Sequence, residues 1–230
     1  MCFTWQIQTM DFLNNRHDLR DVDVSNKWKL IMTDTEIQNR VKKCADIINE
    51  KFAGKDIVLT CILEGAAYFF VDLSRLVTIP YSCYFLKASS YKDGQSQSDK
   101  IELMSRIVPS EFANKEVILI DELYDNGHTM KKVKDAIHEK GQVPLDRIFT
   151  CTLFRKYKPG QQTDLDLFGI DVPNVWLVGY GLDDQQEKRG WTHLFGCPKL
   201  KDIPETPDDA IFSDNDYYLS MRQQIIKQLS

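Results

Sequence analysis

The stretch VILIDELYDNGHTM, residues 117–130, decides the fold and points to the site in one segment. Its four apolar residues at 117–120 are typical of a strand that is covered on both faces of a parallel sheet. An acidic pair and a D-N-G turn follow, and the segment 127–141 has the apolar spacing of a helix that stops at Gly141. The sequence therefore predicts a buried strand, a polar loop and a helix, with carboxylates clustered where the strand ends.

The same alternation of strand and helix runs through most of the chain. Thr33 and Glu36 form a capping box that predicts a helix ending before Gly54. The remaining predictions are strands at 56–63, 81–91, 147–154 and 175–180, and helices at 65–77 and 213–230. Strands and helices in this order predict an α/β fold, with a mainly parallel twisted sheet flanked by helices.

Length and composition limit the class of protein. A chain of 230 residues is long enough for one well-buried core and short for two domains. The net charge of -5 argues against a nucleic-acid partner. No apolar run is long enough to cross a membrane and no signal peptide is evident, so we expect a cytoplasmic protein without a membrane partner. The six scattered cysteines, with Cys61, Cys83 and Cys151 in apolar runs, are interpreted as reduced core residues.

The loop that follows the strand at 117–120 has groups that could bind two different parts of one ligand. In an open parallel sheet, ligands bind beyond the carboxyl ends of the strands. Amides from Asn126 to Thr129, freed by Gly127 at a helix start, can bind a phosphate. The carboxylates of Asp121 and Glu122 would repel that phosphate, but they suit sugar hydroxyls or a Mg²⁺ held through water. A solvated turn is the other interpretation of a D-N-G loop, and the loop alone does not decide between them.

Four motifs together resemble a known family. VILIDELYDNGHT is similar to the phosphoribosyl pyrophosphate motif of type I phosphoribosyltransferases, and its neighbours resemble the hypoxanthine-guanine branch. These neighbours are LEGAAYFFVDLSR at 63–75, KASSYKDG at 87–94 and VWLVGYGLDDQQEKRGWTHLF at 175–195. The D-E order and the G-H-T ending are most similar to guanine-preferring enzymes of parasitic protozoa. The resemblance covers about residues 30 to 195.

The resemblance implies a type I phosphoribosyltransferase fold with a small hood subdomain. It divides the chain into an N-terminal extension at 1–28, a core and hood at 29–195, and a C-terminal extension with a helix at 196–230. The two extensions are not explained by any of the four motifs.

The resemblance also implies roles for the residues of the opening stretch. Asp121 and Glu122 match the acids that hold the ribose hydroxyls, and Asp125 matches a general base near the purine N7. Asn126, Gly127, His128 and Thr129 match the loop that binds the 5′-phosphate. Two of these depart from the family pattern, because Asn126 stands where Thr or Ser is usual and His128 stands where Lys or Arg is usual.

Two further loops are implied to enclose the reacting centre. Glu64 and Gly65 match a first pyrophosphate loop that often carries a lysine and a non-proline cis peptide bond, so backbone amides are expected to meet the pyrophosphate here. Ser90 and Tyr91 match the tip of a flexible catalytic loop that excludes water, although a plain exposed linker has a similar composition. Arg189 matches a pyrophosphate contact.

The base would be bound by the hood. Trp176 matches the aromatic residue that stacks on the purine, the backbone around Leu177 and Asp183 is expected to contact the base edge, and Asp183 also matches a magnesium ligand. A lysine usually contacts the 6-oxo group. Here Arg155 stands at that position with Lys156 beside it, and the sequence does not choose between them.

The implied activity is a Mg²⁺-dependent purine salvage reaction. Phosphoribosyl pyrophosphate and a 6-oxopurine, guanine or hypoxanthine, would give the nucleoside monophosphate and pyrophosphate, in a homodimer or homotetramer. Two alternatives are an enzyme that prefers xanthine, and a regulator that keeps this fold as a nucleotide sensor and binds nucleic acid.

Overall fold

The computed structural model describes residues 28–91, 100–158 and 163–197. The predicted C-terminal helix at 213–230 and all but the last residue of the N-terminal extension lie outside these ranges. The strands are β1 (Lys29–Met32), β2 (Ile57–Leu63), β3 (Tyr81–Tyr91), β4 (Lys100–Leu103), β5 (Glu116–Tyr124), β6 (Ile148–Lys156), β7 (Leu167–Val172), β8 (Trp176–Val178) and β9 (Leu194–Cys197). The helices are α1 (Asp34–Lys51), α2 (Ala67–Leu76) and α3 (His128–Gly141), with 3-10 turns at Pro109–Glu111 and Leu145–Arg147.

A six-stranded sheet forms the core, in the order β4-β3-β2-β5-β6-β7. All neighbours in it are parallel except β4, which pairs antiparallel with the end of β3. The central strands β2 and β5 carry buried side chains on both faces, as their continuous apolar runs predicted. The mainly parallel α/β sheet is thus confirmed.

The helices cover the two faces of this sheet unequally. Apolar residues of α1 and α2 pack with Leu59, Cys61 and Ile118 on one face. Residues of α3 pack with Val58 and Leu119 on the other face. Because successive side chains of a strand point to opposite faces, the same short runs supply both cores.

The ends of α1 and α3 follow local sequence rules. Thr33 and Glu36 form the predicted capping box, with the Thr33 amide donating to Glu36 Oε2 at 2.8 Å. Helix α3 includes Gly141, and the residue in the left-handed conformation is Gln142 with φ of 57°. The predicted stop at Gly141 is therefore one residue early.

A small antiparallel sheet, β1-β9-β8, forms the predicted hood. The strand predicted at 175–180 belongs to this hood and not to the main sheet, where β7 is the last parallel strand, so that placement was wrong. Strand β1 joins the hood from the other end of the chain, with Lys29 opposite Gly196. Trp28 packs with Val178 and Phe195 beneath it.

The cysteines divide by position in the sheet. Cys44, Cys61 and Cys151 are buried free thiols, but Cys83 is exposed, contrary to its predicted core position. The reason is that Cys83 lies on the half of β3 beyond the reach of the short strand β4, near the sheet edge. Within the described residues, no helix is both long and apolar enough to span a membrane.

Candidate active site

The carboxyl ends of β2, β5 and β6 meet at one edge of the sheet. Parallel register places Cys61 beside Ile120 and Tyr124 beside Arg155. The residues that follow these strands are consequently neighbours, although they are far apart in the sequence. This edge gathers the loop of Glu64 and Gly65, the opening stretch and the end of β6.

Asp121 and Glu122 form an acidic pair near the carboxyl end of β5. Asp121 is only 8% exposed, and its Oδ1 accepts a hydrogen bond from the Glu122 amide at 2.9 Å. Burial raises the pKa of Asp121. The pKa of Glu122 is raised well above its usual range by burial and then by the charge of Asp121. Such a pair is poised to gain stability from donors that favour its ionised form.

The Glu122 carboxylate lies directly against the loop that follows β2. A Cβ atom placed on Gly65 would clash with the Glu122 carboxylate, so a larger residue there would have to displace that side chain. A Cβ on Gly181 of the hood would meet the Gly65 carbonyl oxygen at 2.1 Å. The hood, the Gly65 loop and the acidic pair are thus in close contact.

Asp125 is held by two lysines that follow from β6. Lys156 Nζ donates to Asp125 Oδ2 at 2.9 Å, and Lys158 Nζ donates to the Oδ1 of the same carboxylate. Burial opposes ionisation of Asp125, but the hydrogen bonds from Lys158 and Lys156 outweigh it and lower its pKa. Asp125 is therefore an ionised carboxylate with two cations on it.

The loop from Asn126 to Thr129 turns the chain from β5 into α3. Gly127 has φ of 75°, the left-handed conformation that favours glycine, and a Cβ there would lie 2.3 Å from the Tyr124 hydroxyl. No side chain among the described residues caps α3. The first amides of the helix lie at the positive end of the helix dipole, which favours an anionic acceptor.

The loop after β2 carries an ion pair with the neighbouring strand. The peptide bond between Leu63 and Glu64 is cis, as the resemblance implied. Lys87 lies opposite Leu63 in the register of β3, and its Nζ bonds Glu64 Oε1 at 2.7 Å. The bond from Lys87 lowers the pKa of Glu64. The cation expected within the loop is thus supplied by the adjacent strand.

A pocket of about 500 Å³ opens beside this ion pair. Among the residues that line it are Leu63, Glu64, Lys87, Asp183, Gln186 and Arg189. Arg189 Nη2 lies 2.8 Å from Asp183 Oδ1, and its Nη1 donates to the Gly181 carbonyl at 2.7 Å. Asp183 also accepts the Gln186 amide at 2.9 Å. The described residues contain no cluster of three or more His, Cys, Asp or Glu that could hold a metal by themselves.

Trp176 and Leu177 of the hood differ in how much of their side chains is exposed. Trp176 begins β8 and is 56% exposed, so one face of its indole is open to a planar ligand. The Leu177 side chain is buried. A contact from Leu177 to a base would therefore come from its backbone.

The structure separates the two candidates for the 6-oxo contact. Arg155 is turned away from the site: it forms a bidentate ion pair with Asp171 at 2.6 and 2.8 Å, and its guanidinium stacks over Phe168. Adjacent strand residues point to opposite faces, so Lys156 is the one that reaches Asp125. Of these two predicted candidates, Lys156 lies against Asp125 and Arg155 lies against Asp171.

Ser90 and Tyr91 lie in a strand and not at a loop tip. They end β3 and pair with Ile101 and Lys100 of β4 in an antiparallel ladder. The strand at 81–91 was predicted, but its pairing with β4 was not, because the four residues of β4 are too few to give a clear strand pattern. The turn that joins the two strands, residues 92–99, lies outside the described residues.

Two lysines of the site were missed by sequence reasoning, Lys87 and Lys158. Both reach it from strands or strand ends that only the sheet register brings near. A weak signal existed for Lys158, since it follows Lys156 by two residues and so shares its direction in an extended chain.

The comparisons with known proteins all indicate the same family. Residues 30–185 match the phosphoribosyl transferase domain family. The hypoxanthine-guanine phosphoribosyltransferase of Aquifex aeolicus is 34% identical over 160 residues, covering 68% of this chain and 87% of that protein. The enzyme of the same name from Dictyostelium discoideum is 30% identical over 172 residues, covering 72% and 93%. A crystal structure of a hypoxanthine phosphoribosyltransferase from Staphylococcus aureus superposes with a TM-score of 0.64 at 25% identity, covering 79% of this chain and 97% of that one.

Proposed function

The chain belongs to the phosphoribosyl transferase domain family, and we propose that it is a purine salvage enzyme of the hypoxanthine-guanine type. It transfers the 5-phosphoribosyl group of phosphoribosyl pyrophosphate to guanine or hypoxanthine, giving GMP or IMP and pyrophosphate. The observation that carries this proposal is the Asp121–Glu122 pair near the end of β5, with Asp121 buried, followed along the chain by the left-handed Gly127 turn that starts α3. The names of the similar enzymes support the same reaction.

The sugar phosphate binds along the opening stretch. The 5′-phosphate is held by the amides and side chains of Asn126 to Thr129 at the start of α3, where the helix dipole favours an anion. The ribose hydroxyls donate to Asp121 and Glu122. Those bonds favour the ionised carboxylates, which burial otherwise disfavours.

Asp125 acts where the bond to the sugar breaks and the bond to the base forms. As pyrophosphate leaves C1′ and purine N9 approaches, positive charge develops on the ribose ring. A fixed carboxylate near that charge stabilises the transition state more than the ground state. Asp125 also accepts the proton on the purine N7 side, in the role of general base.

The base lies between the hood and the end of β6. Trp176 stacks on the purine, the backbone of Leu177 and Asp183 contacts the base edge, and Lys156 donates to the 6-oxo group. Lys156 is supported over Arg155 because its ammonium already reaches the site, at 2.9 Å from Asp125.

The pyrophosphate occupies the pocket beside Glu64. Gly65 supplies backbone amides, and Arg189 with Lys87 supplies positive charge. Mg²⁺ is usually held by one or two carboxylates together with substrate phosphates. Asp183 suits such a magnesium site. Its carboxylate bonds Arg189 and the Gln186 amide, and a carboxylate has further lone pairs that can bind a metal. When bound, Mg²⁺ neutralises charge on the leaving pyrophosphate.

The hairpin of β3 and β4 is the segment that we assign to the exclusion of water from this centre. Ser90 and Tyr91 lie near its end, and we assign them to the segment that excludes water from the reacting sugar. This exclusion matters because water would hydrolyse a carbocation-like ribose.

A second copy of this chain is the proposed partner. Tyr68 and Val71 on α2 and Phe85 on β3 are exposed apolar side chains, and Phe70 packs against Phe85 at 5.1 Å. Such a patch suits a self-complementary contact between two copies. Phe85→Glu should yield a monomer in light scattering, while Ile47→Glu, an exposed position on α1, should not. A monomeric wild type would refute this surface.

One assay tests the function directly. Pyrophosphate release is measured with phosphoribosyl pyrophosphate, Mg²⁺ and guanine, hypoxanthine, xanthine or adenine in turn. We expect activity with guanine or hypoxanthine, whereas preference for xanthine would correct the substrate and activity with none would overturn the proposal.

Two variants give that assay its internal control. Asp125→Asn should lower kcat by about 100-fold or more with little change in KM. Asp135→Asn removes an exposed carboxylate on α3 that pairs with Lys131, and should leave both constants unchanged. Equal activity of the two variants would remove Asp125 from the mechanism.

A further inference from the structure

Lys158 touches two parts of the opening stretch at once. Its Nζ donates to the Asp125 carboxylate, to the Asp125 carbonyl at 3.1 Å and to Asn126 Oδ1. It therefore sits between the carboxylate near the reacting centre and the first residue of the phosphate loop. Its side chain is 23% exposed, so it is not sealed inside the core.

The phosphate loop contains no lysine or arginine of its own. Its four residues from 126 to 129 offer an amide, a glycine, an imidazole and a hydroxyl. A phosphate that binds there carries nearly two negative charges and lies next to the ionised Asp125. Without a nearby cation, the two anions would repel each other in a partly buried site.

We propose that Lys158 is the cation of the 5′-phosphate site, and that it is shared with Asp125. This inference rests on the proposed function. Without substrate, Lys158 neutralises Asp125 and holds Asn126. When the 5′-phosphate occupies the loop, the ammonium bonds the phosphate, and Lys156 remains as the partner of Asp125.

Lys156 and Lys158 are suited to different roles when the phosphate binds: Lys156 to staying on Asp125, and Lys158 to moving to the phosphate. Lys156 is 12% exposed and bonds Asp125 Oδ2 from the sheet side. Lys158 follows the strand end, so its flexible stem can move the ammonium by a few ångströms while its backbone stays in place. Phosphate binding would thus release one of the two cations on Asp125 and make that carboxylate a better base.

The test measures binding of ribose 5-phosphate, which carries the 5′-phosphate but neither pyrophosphate nor base. We expect Lys158→Met to raise the Kd for ribose 5-phosphate by about 10- to 150-fold, the range for a hydrogen bond to a charged group. Inhibition by pyrophosphate should be unchanged. Lys158→Arg should restore most of the affinity, since it keeps the charge.

Three further readouts separate this role from a structural one. The salt dependence of ribose 5-phosphate binding should be weaker in Lys158→Met. Lys42→Met, which removes an exposed lysine on α1, should match wild type in both affinity and salt dependence. The acid limb of the kcat/KM profile should move to higher pH in Lys158→Met, because Asp125 then loses the hydrogen bond and the charge of Lys158, which lower its pKa.

Two outcomes would overturn the inference. One is wild-type affinity of Lys158→Met for ribose 5-phosphate, and the other is an equal loss of affinity for ribose 5-phosphate and pyrophosphate. If wild-type protein binds ribose 5-phosphate but releases no pyrophosphate with any purine, the proposed function fails separately. Circular dichroism of each variant identifies any that does not fold, and Lys158→Gln, which also removes the charge, then replaces Lys158→Met in the comparison.

Discussion

Removing the charge of Asp171 should destabilise the protein far more than removing an exposed carboxylate. Asp171 on β7 and Arg155 on β6 are 5% and 7% exposed in their side chains, and two hydrogen bonds of 2.6 and 2.8 Å join them. The guanidinium also stacks over Phe168, with 3.8 Å between its central carbon and the ring centroid. Asp171→Asn keeps the shape but leaves a buried cation uncompensated.

The geometry sets the size of the effect. Breaking a buried ion pair by removing one partner costs about 3–5 kcal/mol. With a urea m-value of about 2 kcal/mol/M, this lowers the unfolding midpoint by about 1.5–2.5 M. The exposed pair of Asp135 and Lys131 is worth about 0.2–1 kcal/mol, so Asp135→Asn should move the midpoint by less than about 0.5 M.

Urea unfolding followed by circular dichroism tests this expectation. A double variant, Arg155→Met with Asp171→Leu, should be more stable than Asp171→Asn alone, because neither charge is left buried without a partner. If Asp171→Asn moves the midpoint no further than Asp135→Asn, the buried ion pair is not what holds Arg155. Arg155 would then return as a candidate for the 6-oxo contact.

Three further predictions concern the acidic pair and the pyrophosphate pocket. Because the pKa of Glu122 is raised, the folded protein keeps a proton that the unfolded chain has lost. The free energy of unfolding therefore falls as the pH rises above the ordinary carboxyl range. Glu122→Gln should show a higher unfolding midpoint than wild type between about pH 4 and pH 7. Binding of ribose 5-phosphate should release protons at neutral pH, because the hydroxyl donors favour the ionised forms of Asp121 and Glu122. Calorimetry in buffers of different ionisation enthalpy measures this release. Binding without proton release would contradict the ribose role of the two carboxylates. Lys87→Met should weaken inhibition by pyrophosphate about tenfold, and Lys87→Met with Glu64→Gln should recover part of the loss, while unchanged inhibition would remove Lys87 from the pocket.

The parts of the fold that sequence predicts are those with a strong local pattern. Strands β2, β5 and β6 are continuous apolar runs, and α1 carries both its cap and its spacing. Strand β7 was missed because LFGIDV is short and is interrupted by Gly169. Strand β1 was missed because its pairing with β9 is decided by residues more than 160 positions away.

The site shows the same limit in its side chains. The chain order of the opening stretch places Asp121, Glu122 and Asp125 together, since they share one strand end. Lys87 and Lys158 come from other strands, and their proximity depends on register, which one sequence does not contain. For Arg155 and Lys156, strand alternation predicts that only one faces the ligand, but not which one.

The pairing of β1 with β9 also has a consequence for synthesis of the protein. During synthesis, Lys29 is added to the chain 167 residues before its partner Gly196. At about 5–20 residues per second, that interval is roughly 8 to 33 s. During it the parallel core can fold, whereas β1 waits with an open backbone edge that a chaperone or a neighbouring nascent chain could occupy. The hood is therefore the last part of the molecule to assemble, and a chain truncated before β9 would have the parallel core and the Gly127 turn but no closed hood.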